Sequence, residues 1–455
     1  MAATISIFDR MAALSRGRWM LLLIGTALII RCAWCIALSP RQPRFDERHY
    51  IAHAINLAEG KGYIDEEGRP AAYWPVGYPT VLATTYAIFG QSPWTGILLQ
   101  VVLGTATCVL VSLVGVAAFG PSIGRLSALF LAVYPTQVFY STLYLTEPLF
   151  ALLFVASVAL LLKSTERGTA PIAGGGFAIG LAALVRPVIL LLPLALPVWY
   201  WRIGLRRNTT LVRTLLVLSC MLIAVSPWLV RNHGVTGRWI ISTEGGQNFW
   251  MGNYPGAFGG YAYRQEINER LWDGSGYDFS RGYRLGLAAI TASPLRAGIR
   301  VLQKMSYFFA LETDGVLWNL KGLAQPPPMG VTLMLLGAAN AAYLFVLSFA
   351  VLGLMSTPSK NPLASLFLVV TGYLVLVAAA FVGDPRYHYS LVPLAVIFAA
   401  KGLIEDWPVL SKSVKAKDPN ARRKLLVWGA IVLVFLVLMV ANIGLKALEF
   451  KTLGG

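Results

Sequence analysis

The sequence is poor in charged residues. Only 13% of its 455 residues are Asp, Glu, Lys or Arg, whereas soluble domains contain about 25%. Hydrophobic residues make up 56% of the chain, and the mean hydropathy is +0.64. This composition excludes a single water-soluble domain, a disordered chain and a coiled coil. It predicts an all-α integral membrane protein with many spans.

Cysteine is also scarce. Its 4 positions, Cys32, Cys35, Cys108 and Cys220, all lie in apolar runs. Cys32 and Cys35 have CxxC spacing, but they fall inside a predicted helix rather than after a strand, which favours buried thiols over a redox centre. The sequence contains no Walker A, GxSxG or HExxH motif and no coherent nucleic-acid motif. We therefore assign the net charge of +17 to lipid headgroups and loop topology rather than to nucleic acid.

Long apolar runs recur along the chain. A membrane-spanning helix needs about 20 mostly apolar residues, and about eleven runs approach this length. They lie near residues 19–38, 94–118, 122–140, 144–163, 172–185, 187–201, 210–230, 330–354, 361–382, 387–403 and 425–446. The segment 76–90 is apolar but short and contains Gly77 and Pro79, which favours an interfacial or re-entrant helix.

These runs divide the chain into three regions. We expect an N-terminal transmembrane module at 1–230, with a first outer loop at 39–93. An extracytoplasmic loop at 231–329 follows, and a C-terminal transmembrane module occupies 330–455. The basic residues of the short loops fall mostly on one side of this topology, the side that the positive-inside rule assigns to the cytoplasm. The sequence therefore predicts a multi-pass cell (cytoplasmic or inner) membrane protein with a cytoplasmic N-terminus.

The same topology places a group of polar and charged side chains at the outer ends of the spans. They are Asp46, Glu47, Glu147, Arg186, Arg231, Asp384 and Arg386. Charges at helix ends are ordinary when they occur singly. Together they outline a pocket at the outer membrane–water boundary, where a lipid headgroup can be reached from the side.

Several of these residues have two interpretations that the sequence leaves open. Asp46 either caps the helix that starts near Glu47 or serves as a catalytic carboxylate, and the two roles are compatible. Glu147 either complements the dipole of its helix or belongs to the site. His49 and His53 are four residues apart on one helix and are the candidate ligands of a divalent metal. No third ligand is apparent, so no cofactor is assigned and metal use stays open.

The segment 244–256 of the long loop mixes glycine, amide and aromatic side chains. Amides can bond sugar hydroxyls and aromatic rings can stack on a sugar face, so this composition suits a sugar, although a plain turn-rich loop is the alternative. The candidate residues for binding a sugar or an acceptor are Tyr50, Tyr78, Asn248, Trp250 and Asn253.

The order of short motifs along the chain resembles that of the polytopic GT-C glycosyltransferases, which use lipid-phosphate-linked sugars. More narrowly, it resembles the superfamily of protein O-mannosyltransferases and the lipid A aminoarabinose transferase. The motifs are Arg31, Phe45-Asp46-Glu47, Tyr50, Ala58-Glu-Gly60, Gly62-Tyr63, Pro75, Gly77-Tyr-Pro79, Tyr134-Pro135, Thr146-Glu147-Pro148, Val185-Arg186-Pro187, Pro227-Trp228, Arg231-Asn232, Gly252-Asn253 and Arg386-Tyr387. They span roughly residues 20–400.

This resemblance implies a GT-C-like bundle that moves a sugar from a polyprenyl or dolichyl phosphate to an acceptor on the outer face, with inversion. The acceptor is a lipid, a glycan or a protein. The resemblance also implies that Asp46 is the general base, with Glu47 and Glu147 as further acids of the site. The residues implied for binding the donor phosphate are Arg48, Arg186, Arg231 and Arg386.

Elementary chemistry agrees with these roles. A hydroxyl is a poor nucleophile until a carboxylate within hydrogen-bond reach removes its proton. The leaving group is already a phosphate, so cations must hold its growing charge. The competing interpretation is a transporter or a flippase of a lipid-linked sugar. It predicts charges near the membrane midplane and often an internal repeat, and the sequence shows neither.

Overall fold

The protein is described by a computed structural model, which covers residues 13–65, 67–165, 168–261, 269–271 and 278–453. Within these ranges the chain is helical, and β-structure is limited to the isolated bridges Ile64–Pro70 and Gly260–Gly383. Apolar runs become helices because only a helix satisfies its own backbone groups in lipid. All four cysteines are free. The expected all-α class is confirmed.

The first ten α-helices that the structure describes correspond to the predicted N-terminal module. They are α1 (Arg16–Ala37), α2 (Asp46–Ala58), α3 (Gly77–Phe89), α4 (Pro93–Phe119), α5 (Pro121–Val133), α6 (Pro135–Phe139), α7 (Glu147–Lys163), α8 (Ala170–Val185), α9 (Leu196–Arg202) and α10 (Arg207–Thr236). Prolines break two of the predicted runs: Pro135 separates α5 from α6, and Pro187 begins a 3₁₀ turn after α8. A proline disfavours the helical conformation in the residue before it.

Ten further α-helices follow in the described parts of the remaining chain. They are α11 (Glu244–Asn253), α12 (Phe279–Ala292), α13 (Pro294–Phe308), α14 (Asp314–Lys321), α15 (Met329–Ser356), α16 (Pro362–Ala380), α17 (Pro385–Tyr389), α18 (Val392–Lys401), α19 (Trp407–Lys415) and α20 (Pro419–Leu453). The region 231–329 is therefore largely helical where it is described. Within it, most of the segment 244–256 forms α11 rather than a turn-rich loop.

Six of the described helices are long and apolar enough to cross a membrane: α1, α4, α10, α15, α16 and α20. The pair α12 and α13, bent by 114°, adds a seventh if it forms one span, and α5 and α8 are shorter apolar helices. Every predicted apolar run coincides with a helix or with a run of broken helices. The number of crossings, about eleven from the sequence, stays a prediction.

Close helix packing places the end of α8 in the protein interior. Gly176 and Gly180 of α8 lie directly against the backbone of α10, where a Cβ atom would come within 2.5 Å of the Val217 carbonyl oxygen and 2.7 Å of that of Met221. Small residues allow helix backbones to approach in membranes, and this contact gains dispersion energy that larger side chains would prevent. The contact fixes α8, and with it Arg186 at its C-terminal end.

Glycine also explains the segment 244–256. Gly246 lies against the backbone of Phe279, and Gly252 lies against the backbone of Phe381 at the end of α16. The glycines of this segment therefore serve close packing of α11 on its neighbours. The parallel bridge between Gly260 and Gly383 adds a second connection to the same turn, which precedes α17.

Helix α13 has an unusual distribution of polarity. Its leucine and isoleucine side chains at 295, 299 and 302 are 79%, 50% and 68% exposed, whereas Arg300 and Lys304 are 4% and 1% exposed. The helix packs against α16 and α20, which are both long enough to span a membrane. An apolar outer face and inward cations are typical of a helix surrounded by lipid.

Site-directed labelling tests the predicted orientation. In a chain whose four native cysteines are replaced, Pro255→Cys should react with a membrane-impermeant thiol reagent from outside, and Lys415→Cys should not. Both positions are exposed in the fold. Failure of either cysteine to react with the reagent would therefore be due to the membrane and not to burial in the protein. Leu302→Cys should be protected from both sides because lipid covers it. Labelling of Lys415→Cys but not Pro255→Cys from outside would reverse the topology.

Candidate active site

The guanidinium of Arg386 joins two carboxylates from distant parts of the chain. Its Nη1 donates to Asp46 Oδ2 at 3.1 Å, and its Nε donates to Glu147 Oε1. Arg186 forms a second ion pair with Glu147, with 2.7 Å between Nη1 and Oε1. Two carboxylates and two arginines thus form one balanced charge cluster, which we call the Arg386 cluster.

All four residues of the cluster lie at helix ends. Glu147 is the first residue of α7, with Pro148 in the first turn, and Arg186 follows directly after α8. Arg386 is in the first turn of α17, whose N-cap Asp384 accepts from the Arg386 backbone N–H at 2.7 Å. The ion pairs between the side chains bring these helix ends together.

Asp46 reaches the cluster through an unusual backbone conformation. The interpretation of Asp46 as N-cap is wrong: the N-cap of α2 is Phe45, no side chain caps the helix, and Asp46 is its first residue. Phe45 has φ 49°, in a region that side chains rarely adopt. This turn frees the Asp46 carboxylate from the backbone and directs it to Arg386.

Exposure distinguishes the two carboxylates. The side chain of Glu147 is fully buried, whereas that of Asp46 is 23% exposed and that of Arg386 is 15% exposed. Asp46 Oδ1 and Arg386 Nη2 form no hydrogen bond with any residue that the structure describes. Asp46 therefore offers a carboxylate oxygen, and Arg386 an N–H edge, to a substrate.

The neighbouring Glu47 has a different environment, which favours a structural role over the predicted catalytic one. Its carboxylate is fully buried and accepts two hydrogen bonds from Arg41, at 2.7 Å and 2.6 Å. It also accepts from the backbone N–H groups of Arg44 and Tyr144, both at 2.9 Å. Both carboxylate oxygens are occupied, so Glu47 ties the first loop to the segment before α7.

Aromatic rings surround the cluster. Arg386 lies over the ring of Trp318, with 5.2 Å to its centroid, and Arg186 lies 5.7 Å from the centroid of Tyr387. Tyr50, one helical turn after Asp46, packs edge-on against Tyr78. Burial and the carboxylate of Asp46 raise the pKa of Tyr50 well above its usual value. The rings beneath the two guanidinium groups stabilise them by cation–π contacts.

Two of the predicted phosphate-binding arginines lie elsewhere. Arg231 donates to the backbone carbonyls of Tyr63 and Ala71, at 2.7 Å in the first case, and its guanidinium lies over Trp228. Arg48 is exposed and donates to the Pro43 carbonyl at 3.2 Å. The structure thus places Arg231 as a brace of the first loop, and neither arginine contacts the cluster. Residue type alone does not reveal whether an arginine meets carbonyls or carboxylates.

Most predicted sugar-binding residues are buried. Asn253 donates to the carbonyls of Phe249 and Ala380, both at 2.9 Å, and accepts from Lys304 at 2.9 Å. Trp250 is 3% exposed in a small hydrophobic core. Tyr78 is fully buried, and its hydroxyl accepts from the side-chain amide of residue 100 at 3.0 Å. Burial argues against sugar binding by all three, and the polar groups of Asn253 and the hydroxyl of Tyr78 also have protein partners.

A carboxylate that the sequence analysis missed lies beside the cluster. Glu244, the first residue of α11, accepts a hydrogen bond from Asn248 at 3.0 Å. Burial raises its pKa, and the nearby carboxylate of Asp46 adds to this effect, whereas Arg186 and Arg386 oppose it. Asn248 therefore remains near the site, through Glu244. The missed signal was an acidic residue directly preceding a glycine-rich helix.

The histidines proposed as metal ligands have other partners. His53 Nδ1 bonds the Ile64 carbonyl at 2.9 Å, and its ring stacks on Tyr63. His49 stacks on Trp74. In the parts of the chain that the structure describes, no group of three or more His, Cys, Asp or Glu residues is arranged to hold a metal ion. These two histidines do not fit a metal centre, and the function proposed below does not use them as metal ligands.

Comparison with known proteins bears on the fold. The family described as dolichyl-phosphate-mannose-protein mannosyltransferase matches residues 74–230, which include Glu147 and Arg186. No curated protein sequence matches the chain. The solved oligosaccharyltransferase of Archaeoglobus fulgidus, in a complex with Zn and sulfate, is similar with a TM-score of 0.50 at 14% identity. The fold is of the GT-C type.

The similarity extends over most of this chain but over only part of the archaeal enzyme. It covers 93% of this chain and 52% of that one. The same enzyme tethered to an acceptor peptide matches with a TM-score of 0.50 at 13% identity, over 95% and 55% of the two chains. ArnT from Cupriavidus metallidurans bound to undecaprenyl phosphate matches with a TM-score of 0.44 at 15% identity, over 88% and 80%. The GT-C fold alone does not fix the reaction.

Replacement of Glu47 tests its structural role. Glu47→Gln leaves the buried Arg41 without its counter-charge, and breaking a buried pair in this way costs about 3–5 kcal/mol. We expect a clearly lowered midpoint of thermal unfolding in detergent. The matched control is Glu67→Gln, which removes an exposed partner of Arg69 and should leave the midpoint unchanged. A normally stable but inactive Glu47→Gln protein would instead support a catalytic Glu47.

Proposed function

We propose that the chain is an inverting glycosyltransferase that takes its sugar from a polyprenyl- or dolichyl-phosphate donor at the outer face of the membrane. The observation that carries this proposal is the Arg386 cluster: an accessible carboxylate, Asp46, beside two partly exposed arginines. The family match over residues 74–230 and the GT-C fold support the same class of reaction.

In this proposal Asp46 is the general base. Its Oδ1 has no hydrogen-bond partner among the described residues. This oxygen accepts the proton of the acceptor's nucleophilic atom while that nucleophilic atom forms a bond to the anomeric carbon of the sugar. The bond between the anomeric carbon and the phosphate oxygen breaks on the opposite face, which inverts the configuration. No acid is needed on the leaving side, because the leaving group departs as a phosphate.

Arg386 and Arg186 hold that phosphate. Arg386 has a free Nη2 edge, and Arg186 is 14% exposed with only its Nη1 paired to Glu147. Arginine suits a phosphate because its N–H groups bind two oxygens at once. Glu147, fully buried between the two, keeps both guanidinium groups in place, and its role is to position them.

The contact between Arg386 and Asp46 also links donor binding to the action of the base. While Arg386 bonds Asp46, the guanidinium occupies Oδ2, one of the two carboxylate oxygens. A donor phosphate that draws Arg386 towards itself loosens this bond. Donor binding therefore prepares Asp46 for the acceptor, and Glu244 lies near enough to orient the acceptor's polar groups. The acceptor is a lipid, a glycan or a protein.

The base assignment is tested by Asp46→Asn. The amide keeps the size of the side chain but removes the basic oxygen, so we expect transfer to fall by about 10²–10⁴-fold. Donor binding should be nearly kept, because the arginines remain. The assay incubates purified protein with a panel of polyprenyl-phosphate sugars and scores the release of free polyprenyl phosphate.

The matched control is Asp65→Asn, the same change in the same outer loop at a carboxylate paired with Arg69. It should turn over like the wild type. If Asp46→Asn also turns over normally, Asp46 is not the base. If wild-type protein releases no polyprenyl phosphate but moves a lipid-linked sugar across vesicles, the flippase interpretation replaces the transferase.

Replacement of Arg186 and replacement of Arg231 should have different effects on donor affinity. Arg186→Gln removes a phosphate contact, so we expect donor affinity to fall about tenfold or more, whereas Asp65→Asn leaves it unchanged. Arg231→Gln removes a brace of the first loop, so we expect a lower unfolding midpoint with donor affinity kept in the folded fraction. Equal losses of affinity in both variants would return Arg231 to the phosphate site.

A further inference from the structure

Phe45, the residue directly before the proposed base, combines two features that rarely occur together. Its backbone has φ 49° and ψ −127°, close to the first central position of a type II′ turn, which glycine normally occupies. Its side chain is nevertheless a phenyl ring, and the residue is 53% exposed. Burial of the ring is therefore too small to explain why a side chain is present where glycine fits best.

Hydrogen bonds on both sides of Phe45 hold the backbone in this conformation. The Glu47 N–H donates to the Arg44 carbonyl at 3.1 Å and closes the turn. The Arg44 N–H donates to the Glu47 carboxylate at 2.9 Å, and Arg41 binds that carboxylate through both of its oxygens. A strained conformation persists only where its surroundings fix it. The buried Arg41–Glu47 pair therefore keeps the turn at Phe45 closed.

The ring of Phe45 packs against a second ring that also contacts the Arg386 cluster. Its centroid lies 5.3 Å from that of Trp318, and the two planes are inclined by 53°. Arg386 lies over the same Trp318 ring, 5.2 Å from its centroid. Lys321, which shares helix α14 with Trp318, places Nζ 5.5 Å from the centroid of the Phe45 ring. Trp318 thus contacts both the residue before the base and the arginine beside it.

From these contacts we propose that Phe45 and Trp318 are positioning residues, which hold the Asp46 carboxylate in a fixed place beside Arg386. The inference rests on the proposed function, in which Asp46 is the base. In that function, the donor phosphate draws Arg386 towards itself and loosens its bond to Asp46. The carboxylate then requires a support that does not depend on this bond, and the closed turn with its packed rings supplies one.

Stiffness is the reason that phenylalanine serves this position better than glycine. Glycine adopts positive and negative φ about equally readily, so it would leave the turn free to rearrange. A phenyl ring that packs against Trp318 anchors the turn at its strained residue. Strained backbone conformations cluster at active sites, where the surrounding structure holds them for the sake of geometry. The strain at Phe45 therefore accompanies the fixed position of the neighbouring carboxylate.

Two substitutions separate the ring from the backbone. Phe45→Ala removes the ring but keeps the strain, whereas Phe45→Gly removes both. We expect the glycine variant to unfold at a midpoint about 1–3 °C above that of the alanine variant. This order is the reverse of the usual one, because glycine normally increases the entropy of the unfolded chain. The measurement is thermal unfolding of the full-length protein in detergent, and it requires no substrate.

Turnover should not follow stability. In Phe45→Gly the turn is released, so we expect turnover to fall about tenfold or more, because a misplaced catalytic group loses rate steeply. It should be no higher than in Phe45→Ala, and donor affinity should be nearly kept in both, because Arg186 and Arg386 are unchanged. A merely structural role predicts instead that the more stable glycine variant is the more active one. Phe45→Tyr keeps a ring that can pack on Trp318 and should restore most of the turnover.

A double-mutant cycle tests whether the two rings act together. Residues in contact show non-additive effects, so Phe45→Ala combined with Trp318→Leu should lose less turnover than the two single losses multiplied together. Losses that multiply would exclude Trp318 as the support of the turn. The matched control is Phe89→Ala, which removes a ring that is 74% exposed at the end of α3. It should change neither the turnover nor the unfolding midpoint.

The outcomes distinguish this inference from the proposed function. Normal turnover in Phe45→Gly, beside a wild-type protein that transfers sugar, would overturn the positioning role and leave the proposed function standing. A midpoint of Phe45→Gly at or below that of Phe45→Ala would show that the turn is not strained, and the inference would fail on stability alone. If the wild type transfers sugar from no donor, the proposed function fails and the positioning role fails with it.

Discussion

The structure depends on one shared contact, in which the guanidinium of Arg386 binds Asp46 and Glu147 together. The three residues come from the start of α2, the start of α7 and the start of α17. Burial of such charges is costly unless each is paired, and removal of one partner leaves an uncompensated charge. The contact therefore holds three distant segments at one point, and it makes the position of each helix end depend on the other two.

The contrast between Asp46 and Glu47 shows how one helix serves two purposes. Adjacent residues on a helix point about 100° apart, so the two carboxylates face different neighbours. Glu47 meets Arg41 in a closed, fully bonded pair that has no free oxygen. Asp46 meets Arg386 by one oxygen and leaves the other free. The first pair gives the loop its rigidity, and that rigidity lets the second carboxylate keep a fixed position near the surface.

Features that depend on composition, such as the positions of the helices, could be predicted from the sequence. The contacts of individual side chains could not, because they depend on partners that are distant in the sequence. Apolar runs located the helices, and the charges at the helix ends indicated that Asp46, Glu147, Arg186 and Arg386 are neighbours, which the ion pairs between them confirm. The sequence could not show that Arg231 donates to backbone carbonyls and lies over Trp228, since an arginine has the same appearance in any environment. The glycines near Asn253 suggested a sugar surface, but they serve helix contacts that only the tertiary fold defines. Glu244 was missed for the same reason.

The GT-C fold and the Arg386 cluster support different parts of the proposed function. A fold similar at 14% identity fixes where helices lie but not what the site binds. The cluster adds chemistry, because a partly exposed carboxylate beside two partly exposed guanidinium groups supports the proposed removal of a proton and the proposed binding of a phosphate leaving group. A flippase needs cations to attract a lipid phosphate, but it has no use for a basic oxygen kept free beside them. Asp46 Oδ1 is therefore the atom that separates the two functions.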